Sequence, residues 1–216
     1  MLKTLTLPVC LLFLAFTACE STPKEMADKV EETTDEAQTA IGSAVEDMVE
    51  AVDEGENYVV KVIDDKIKSP RKELSGQVGG VPVTINYGSP AVNDRVIYGD
   101  LVPYQKVWRT GANEATRITF SEDVKVGTDS KMLEAGTYSL FTLPKSKDEW
   151  TIIFNKTADQ WGAYDYEESD DAARVSGTSA AAEENAERMN FAVDGDSVKL
   201  MWDDLVVAFP VAKAAK

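Results

Sequence analysis

Gly79-Gly80-Val81-Pro82-Val83-Thr84-Ile85-Asn86-Tyr87 decides the fold. Apolar side chains at 81, 83, 85 and 87 alternate with proline, threonine and asparagine, the period-two pattern of a half-buried strand. The two glycines ahead of it accept positive φ and so supply a tight hairpin turn. The same period recurs at Thr116–Phe120, Val124–Val126, Thr137–Leu143 and Trp150–Asn155. Towards the end come Met189–Val193, Val198–Trp202 and Leu205–Val211, divided by Asp194-Gly195-Asp196 and by Asp203-Asp204, both with tight-turn chemistry. Leu133-Glu-Ala-Gly136 with Tyr138 and Leu140 behind it reads as a turn delivering a strand into a core. Thr178–Glu187, rich in Ala and Glu, reads as a short helix or a loop. Many short strands with almost no helix between them predict a mainly β domain, an antiparallel β-sandwich or barrel, over residues 69–213.

Ser69-Pro70 marks its start, because the residue before proline resists helix. Upstream the period changes. From Lys24 to about Asp53, apolar or small residues recur at spacings of three and four: Met26, Val30, Thr33, Ala37, Ile41, Ala44, Met48 and Val52. The pattern predicts an acidic N-terminal helix of roughly 45 Å. Asp28–Glu32, Glu31–Asp35, Glu32–Glu36 and Glu46–Glu50 oppose it as like charges one turn apart, and Glu25–Lys29 supports it. Residues 19–68 therefore read as an acidic helical stalk or linker. Its plain role is a spacer. The sharper alternative is self-association or partner binding through residues 24–53, on a stripe that Ala and Thr make a weak seam. Tyr58–Ile67 holds a second apolar patch, which either finishes the helix or docks on the domain.

Residues 1–18 read as a lipoprotein signal peptide. Lys3 is followed by an apolar run from Leu5 to Phe16, too short at about 12 residues to span a bilayer, where about 20 are needed. Thr17 and Ala18 then precede Cys19, the expected lipidation site. Phe16 stands where leucine is usual, and an ordinary secretory signal cut near Ala18 is the alternative. The expected location is the cell envelope of a Gram-negative bacterium, lipid-anchored at the periplasmic face or outer membrane. Of the two cysteines, Cys10 leaves with the signal and acylation uses Cys19, so no thiol remains for a disulfide, a metal or a nucleophile.

The formal net charge is −16, unevenly spread. Residues 19–68 carry fifteen acids against five bases, whereas residues 69–166 carry twelve against eleven. Such a chain is repelled by nucleic acid and by anionic lipid headgroups, so no nucleic-acid partner is expected and membrane attachment must come from the acyl chains. Histidine is absent, which excludes Ser-His-Asp, Cys-His and zinc-hydrolase mechanisms. No phosphate loop or dinucleotide fingerprint occurs, and no cofactor is expected. Asp194-Gly-Asp196 falls short of a calcium loop and suits a hairpin, so no metal site is assigned.

Several stretches carry a family resemblance: Ser69-Pro-Arg-Lys72, Val83-Thr-Ile-Asn-Tyr-Gly-Ser-Pro90, Val102-Pro-Tyr-Gln-Lys-Val-Trp-Arg-Thr-Gly-Ala-Asn-Glu114, Ala135-Gly-Thr-Tyr-Ser-Leu-Phe141, Glu149-Trp-Thr-Ile-Ile-Phe-Asn155 and Gln160-Trp-Gly-Ala-Tyr-Asp-Tyr166. Together they resemble a secreted bacterial family catalogued as domain of unknown function 2911, closely over residues 69–166 and more loosely beyond. Gln105 departs from the family's glycine, and Ser176–Arg188 looks idiosyncratic. The resemblance implies an exported β-rich domain and supplies no reaction.

The densest polar and aromatic group is Trp108, Arg109, Thr110, Asn113 and Glu114, with Trp161 and Tyr164 as spatial candidates. Tyr87, Arg95, Tyr98 and Tyr104 precede it. Aromatic faces beside planar polar groups suit a sugar or peptide. The competing reading places Trp108 in the core and pairs Arg109 with Glu114 across a loop. The function expected is a binding module for a glycan, peptide or envelope component. The alternatives are an interaction protein acting through its acidic helix, and a carboxylate hydrolase using Glu114 with Asp100 or Asp165.

Overall fold

The computed structural model describes Val49–Glu50 and residues 57–214. The predicted signal peptide, Cys19 and the predicted acidic helix fall outside the described residues except at Val49 and Glu50. Those two form a short strand, β1 (Val49–Glu50), rather than helix, because they pair with Val60 and Lys61 of β2 (Tyr58–Asp64). The apolar patch at Tyr58–Ile67 thus supplies a strand, and the sheet begins upstream of Ser69.

β3 (Arg71–Val78) and β4 (Val81–Gly88) form the hairpin expected from the diglycine, with Val78 opposite Val81 and both glycines at positive φ. Val81, Val83, Ile85 and Tyr87 are buried, each side chain of this type contributing about 1.5–3 kcal/mol. After β4 come β5 (Thr116–Phe120), β6 (Val124–Val126), β7 (Lys131–Leu133), β8 (Gly136–Pro144), β9 (Trp150–Asn155), β10 (Asp171–Asp194) and β11 (Ser197–Lys213). Among the described residues the strands make one antiparallel sheet in the order β1-β2-β3-β4-β5-β8-β9-β10-β11-β6-β7. The only helix there is a single 3-10 turn at Glu168–Asp170.

The sheet folds on itself through β10. Residues up to Gly177 pair with β9, and from Thr178 onward the partner is β11. Rings from the two halves then meet across one core: Tyr87 on Phe191 at 4.9 Å, Phe154 on Phe209 at 5.6 Å and Trp108 on Trp202 at 5.8 Å. The β3–β4 turn seats against the far half, where the Gly79 amide donates to the Gly195 carbonyl at 3.0 Å.

Two local expectations are corrected. Thr178–Glu187 is strand, because pairing with β11 overrides its helical composition. Asp203-Asp204 is not a turn but an irregularity inside β11, with Asp203 at φ 54. Val198, Leu200 and Trp202 are buried before it, and Leu205, Val207, Phe209 and Val211 after it. The buried set changes from even to odd numbers, so one extra residue keeps the apolar face inward along a continuous strand. By contrast, Asp194-Gly195-Asp196 is the β10–β11 turn.

Candidate functional site

Residues 89–115 connect β4 to β5 without regular structure, and their backbone is tied down at several points. Ser89 Oγ donates to the Met189 carbonyl at 2.7 Å. Trp108 exchanges two hydrogen bonds with Thr142 of β8, at 2.8 and 2.9 Å. Thr110, 1 % exposed and at φ 54, donates to Thr142 Oγ1 at 3.2 Å, while its carbonyl accepts Thr116 Oγ1 at 2.6 Å. Thr110 therefore pegs the segment to the sheet. Gln105 sits at φ 62, a left-handed conformation that explains why glycine suits this position.

The segment runs between two clefts and divides the predicted residues between them. Glu114 and Trp161 line one, of about 480 Å³. Trp108, Arg109 and Asn113 line the other, of about 340 Å³. Thr110 and Tyr164 are in neither set of described lining residues. Trp108 is 9 % exposed and stacked on Trp202, so its faces are core and it offers no open platform. Tyr164 is 84 % exposed. Arg109 and Glu114 face different clefts, and the cross-loop pair expected for them is replaced by Arg71–Glu114.

In the larger cleft, the Arg71 guanidinium donates through Nε to Asn86 Oδ1, through Nη2 to the Asn86 carbonyl at 3.3 Å, and through Nη1 to Glu114 Oε2 at 3.3 Å. Burial lowers the Arg71 pKa; Glu114 opposes that shift and Arg117 adds to it. Arg117 pairs with Asp159 at 2.5 Å. Gln160, 7 % exposed, donates through Nε2 to Asn155 Oδ1 and to the Thr157 carbonyl, and its Oε1 is a buried acceptor with no partner. Above these groups stand Trp161, 59 % exposed, and the exposed side chains of Ile63 and Ile67.

A row of polar residues crosses the sheet into this cleft. Asn86 is opposite Arg117, Arg117 opposite Ser139, Ser139 opposite Asn155, and Asn155 opposite Asp171. Ser139 and Asn155 are fully buried, because the segment after β9 lies over them. Ser139 Oγ donates to the Thr157 carbonyl at 2.8 Å, and Asn155 Nδ2 to the Glu167 carbonyl at 3.0 Å. Tyr166 anchors the far end through its ring on Phe141 at 5.1 Å and its hydroxyl on Asp171 Oδ2 at 2.7 Å. Trp161 rides on this pinned segment, with Gly162 N bonded to the Asn113 carbonyl at 3.1 Å.

Sequence reasoning missed Arg71, Asn86, Arg117 and Gln160. For Arg71, Asn86 and Arg117 the usable signal was polar residues in phase on neighbouring strands. Of the carboxylates considered for hydrolysis, Glu114 is held by Arg71, and neither Asp100 nor Asp165 is among the described residues lining its cleft. The other acids there are Asp64 and Asp159.

Fold and site together define an antiparallel all-β domain with two clefts flanking one long connection. The chain belongs to the family described as protein of unknown function (DUF2911), whose family model matches residues 69–211. No curated protein and no solved structure matches it.

Proposed function

We propose that this is a lipid-anchored envelope protein whose β-sandwich binds a glycan in the cleft beside Trp161. The observation that carries the reading is an indole more than half exposed above a floor of fixed planar polar groups. Arg71, Asn86 and Glu114 line the cleft with donor and acceptor groups suited to hydroxyls. A sugar ring presents an apolar face to the indole and equatorial hydroxyls to such groups. Binding is favoured over hydrolysis because Arg71 engages Glu114 and leaves it no free partner acid of the pair considered. In this reading Cys19 carries the acyl chains, and the acidic stretch behind it holds the nearly neutral domain away from an anionic surface.

Calorimetry of the purified protein against envelope oligosaccharides and peptides tests the site. Trp161→Ala should weaken glycan binding about three- to tenfold, the worth of one aromatic stack. A peptide that binds while every glycan fails overturns the glycan assignment. Cys19→Ser should move the protein out of the membrane fraction, and retention there sinks the anchor.

A further inference from the structure

The smaller cleft has a different chemistry. Its described lining includes Lys68, Arg95 and Arg109 and not one carboxylate, in a chain of net charge −16. Arg109 is the central observation. Its Nε is buried without a hydrogen-bond partner, and among the described residues no acid pairs with its guanidinium. Arg71 in the other cleft shows how this protein otherwise treats a buried guanidinium, with an amide and a carboxylate around it. A partly desolvated cation without an acidic partner is costly, and burial accordingly lowers the Arg109 pKa, a shift that Tyr164 opposes.

A second donor is orphaned at the same place. Trp202, stacked against Trp108 in the wall, has its Nε1 buried and unpartnered. Arg95 is steadied by backbone carbonyls rather than by an acid, through Nε to Val92 O at 3.0 Å and Nη2 to Ala91 O at 2.5 Å. Leu101, 43 % exposed, gives the mouth an apolar edge. Three cations without an acidic partner and an apolar rim match one ligand class. The anionic group meets the guanidinium and ammonium groups, and an apolar body fills the remainder of a volume near 340 Å³.

We propose that the cleft of Lys68, Arg95, Arg109, Trp108 and Trp202 binds a small organic anion, a carboxylate or phosphate monoester on an apolar body. The site is separate from the Trp161 cleft and does not depend on the glycan reading.

The test uses the purified full chain, titrated at constant ionic strength with benzoate, phenyl phosphate and the neutral benzamide, and read by calorimetry. At least one anion should bind, about tenfold or more tightly than benzamide, and the two anions distinguish carboxylate from phosphate. Arg109→Gln should cost that anion about tenfold or more, the range for a charge-assisted hydrogen bond. Should Arg109→Gln fail to fold, Arg95→Gln, at an exposed position, carries the comparison. Trp161→Ala should leave anion binding unchanged. Equal affinity for benzamide, no binding by either anion, no loss on the arginine substitution, or equal loss with Trp161→Ala overturns the proposal.

Discussion

Gly79 and Gly80 offer a paired test of how the sheet closes. Both have positive φ, +55 and +78, so alanine at either carries the same left-handed cost, about 1–2 kcal/mol. Some of that is returned through the stiffer unfolded chain, leaving about 1 kcal/mol for each. Their surroundings differ. A Cβ at Gly80 meets nothing within 4 Å, whereas one at Gly79 would lie 2.2 Å from the Val211 carbonyl oxygen and 3.1 Å from its carbon. Relief requires the turn to withdraw by about 1 Å, which breaks the Gly79 N–Gly195 O hydrogen bond, worth about 1 kcal/mol, and loosens packing around the buried Val211 by a similar amount. Gly79→Ala should therefore be less stable than Gly80→Ala by about 2 kcal/mol. Urea unfolding followed through tryptophan fluorescence reads this as a midpoint lower by about 1 M, for a slope near 2 kcal/mol/M. Equal midpoints would refute the seating of the β3–β4 turn on β11.

Gln105→Gly should raise stability by no more than about 0.5 kcal/mol, since the relief at φ 62, about 1 kcal/mol once the looser unfolded chain is counted, is partly offset by loss of an exposed hydrogen bond from Gln105 Nε2 to Lys145 O; a melting temperature lower by several degrees contradicts it. Asp203 has its pKa raised, by burial first and by the charge of Asp204 second. The folded state then holds the proton more tightly than the unfolded state, so stability falls as pH rises through the folded value. Asp203→Asn should stabilise at neutral pH, with the gain vanishing once pH drops below the ordinary carboxylate range; a pH-independent gain rejects this cause. Thr116→Val removes the 2.6 Å bond to the buried Thr110 carbonyl, a loss of about 1–3 kcal/mol. Because that bond holds the segment between the clefts, affinity at both should fall together, and an effect on one alone argues against the peg.

Apart from β7 (Lys131–Leu133), which the sequence did not mark, the strands from 81 to 155 were legible because one face is apolar and the other polar, and period two survives wherever one side is buried. β10 and β11 were legible only in pieces. Their lengths come from partner switching at Gly177 and from the irregularity at Asp203, and both features depend on what lies opposite. Local chemistry makes Asp203-Asp204 a turn, and only the parity of buried residues on either side shows that the strand continues. The site was half legible. The block from Trp108 to Glu114 does border concavities, yet composition is silent about direction. Left-handed residues at Thr110 and Asn113 turn neighbouring side chains to opposite sides of the segment.

The polar row from Asn86 to Asp171 explains why the remainder was hidden. On a strand read alone, Ser139 and Asn155 are ordinary residues of a solvent face. In the fold they are buried, and most of the polar contacts they make fix the segment that carries Trp161. Asn155 alone donates to Glu167 and Asp171 and accepts from Thr157 and Gln160, an arrangement no isosteric aliphatic side chain reproduces. The placement of the exposed indole is thus a property of the second face of the sheet as well as of the connection beside it, whose Asn113 carbonyl and Ala115 amide bond Gly162 and Gln160. It follows that Asn155→Leu should displace Trp161 and weaken glycan binding without removing any group that touches the ligand.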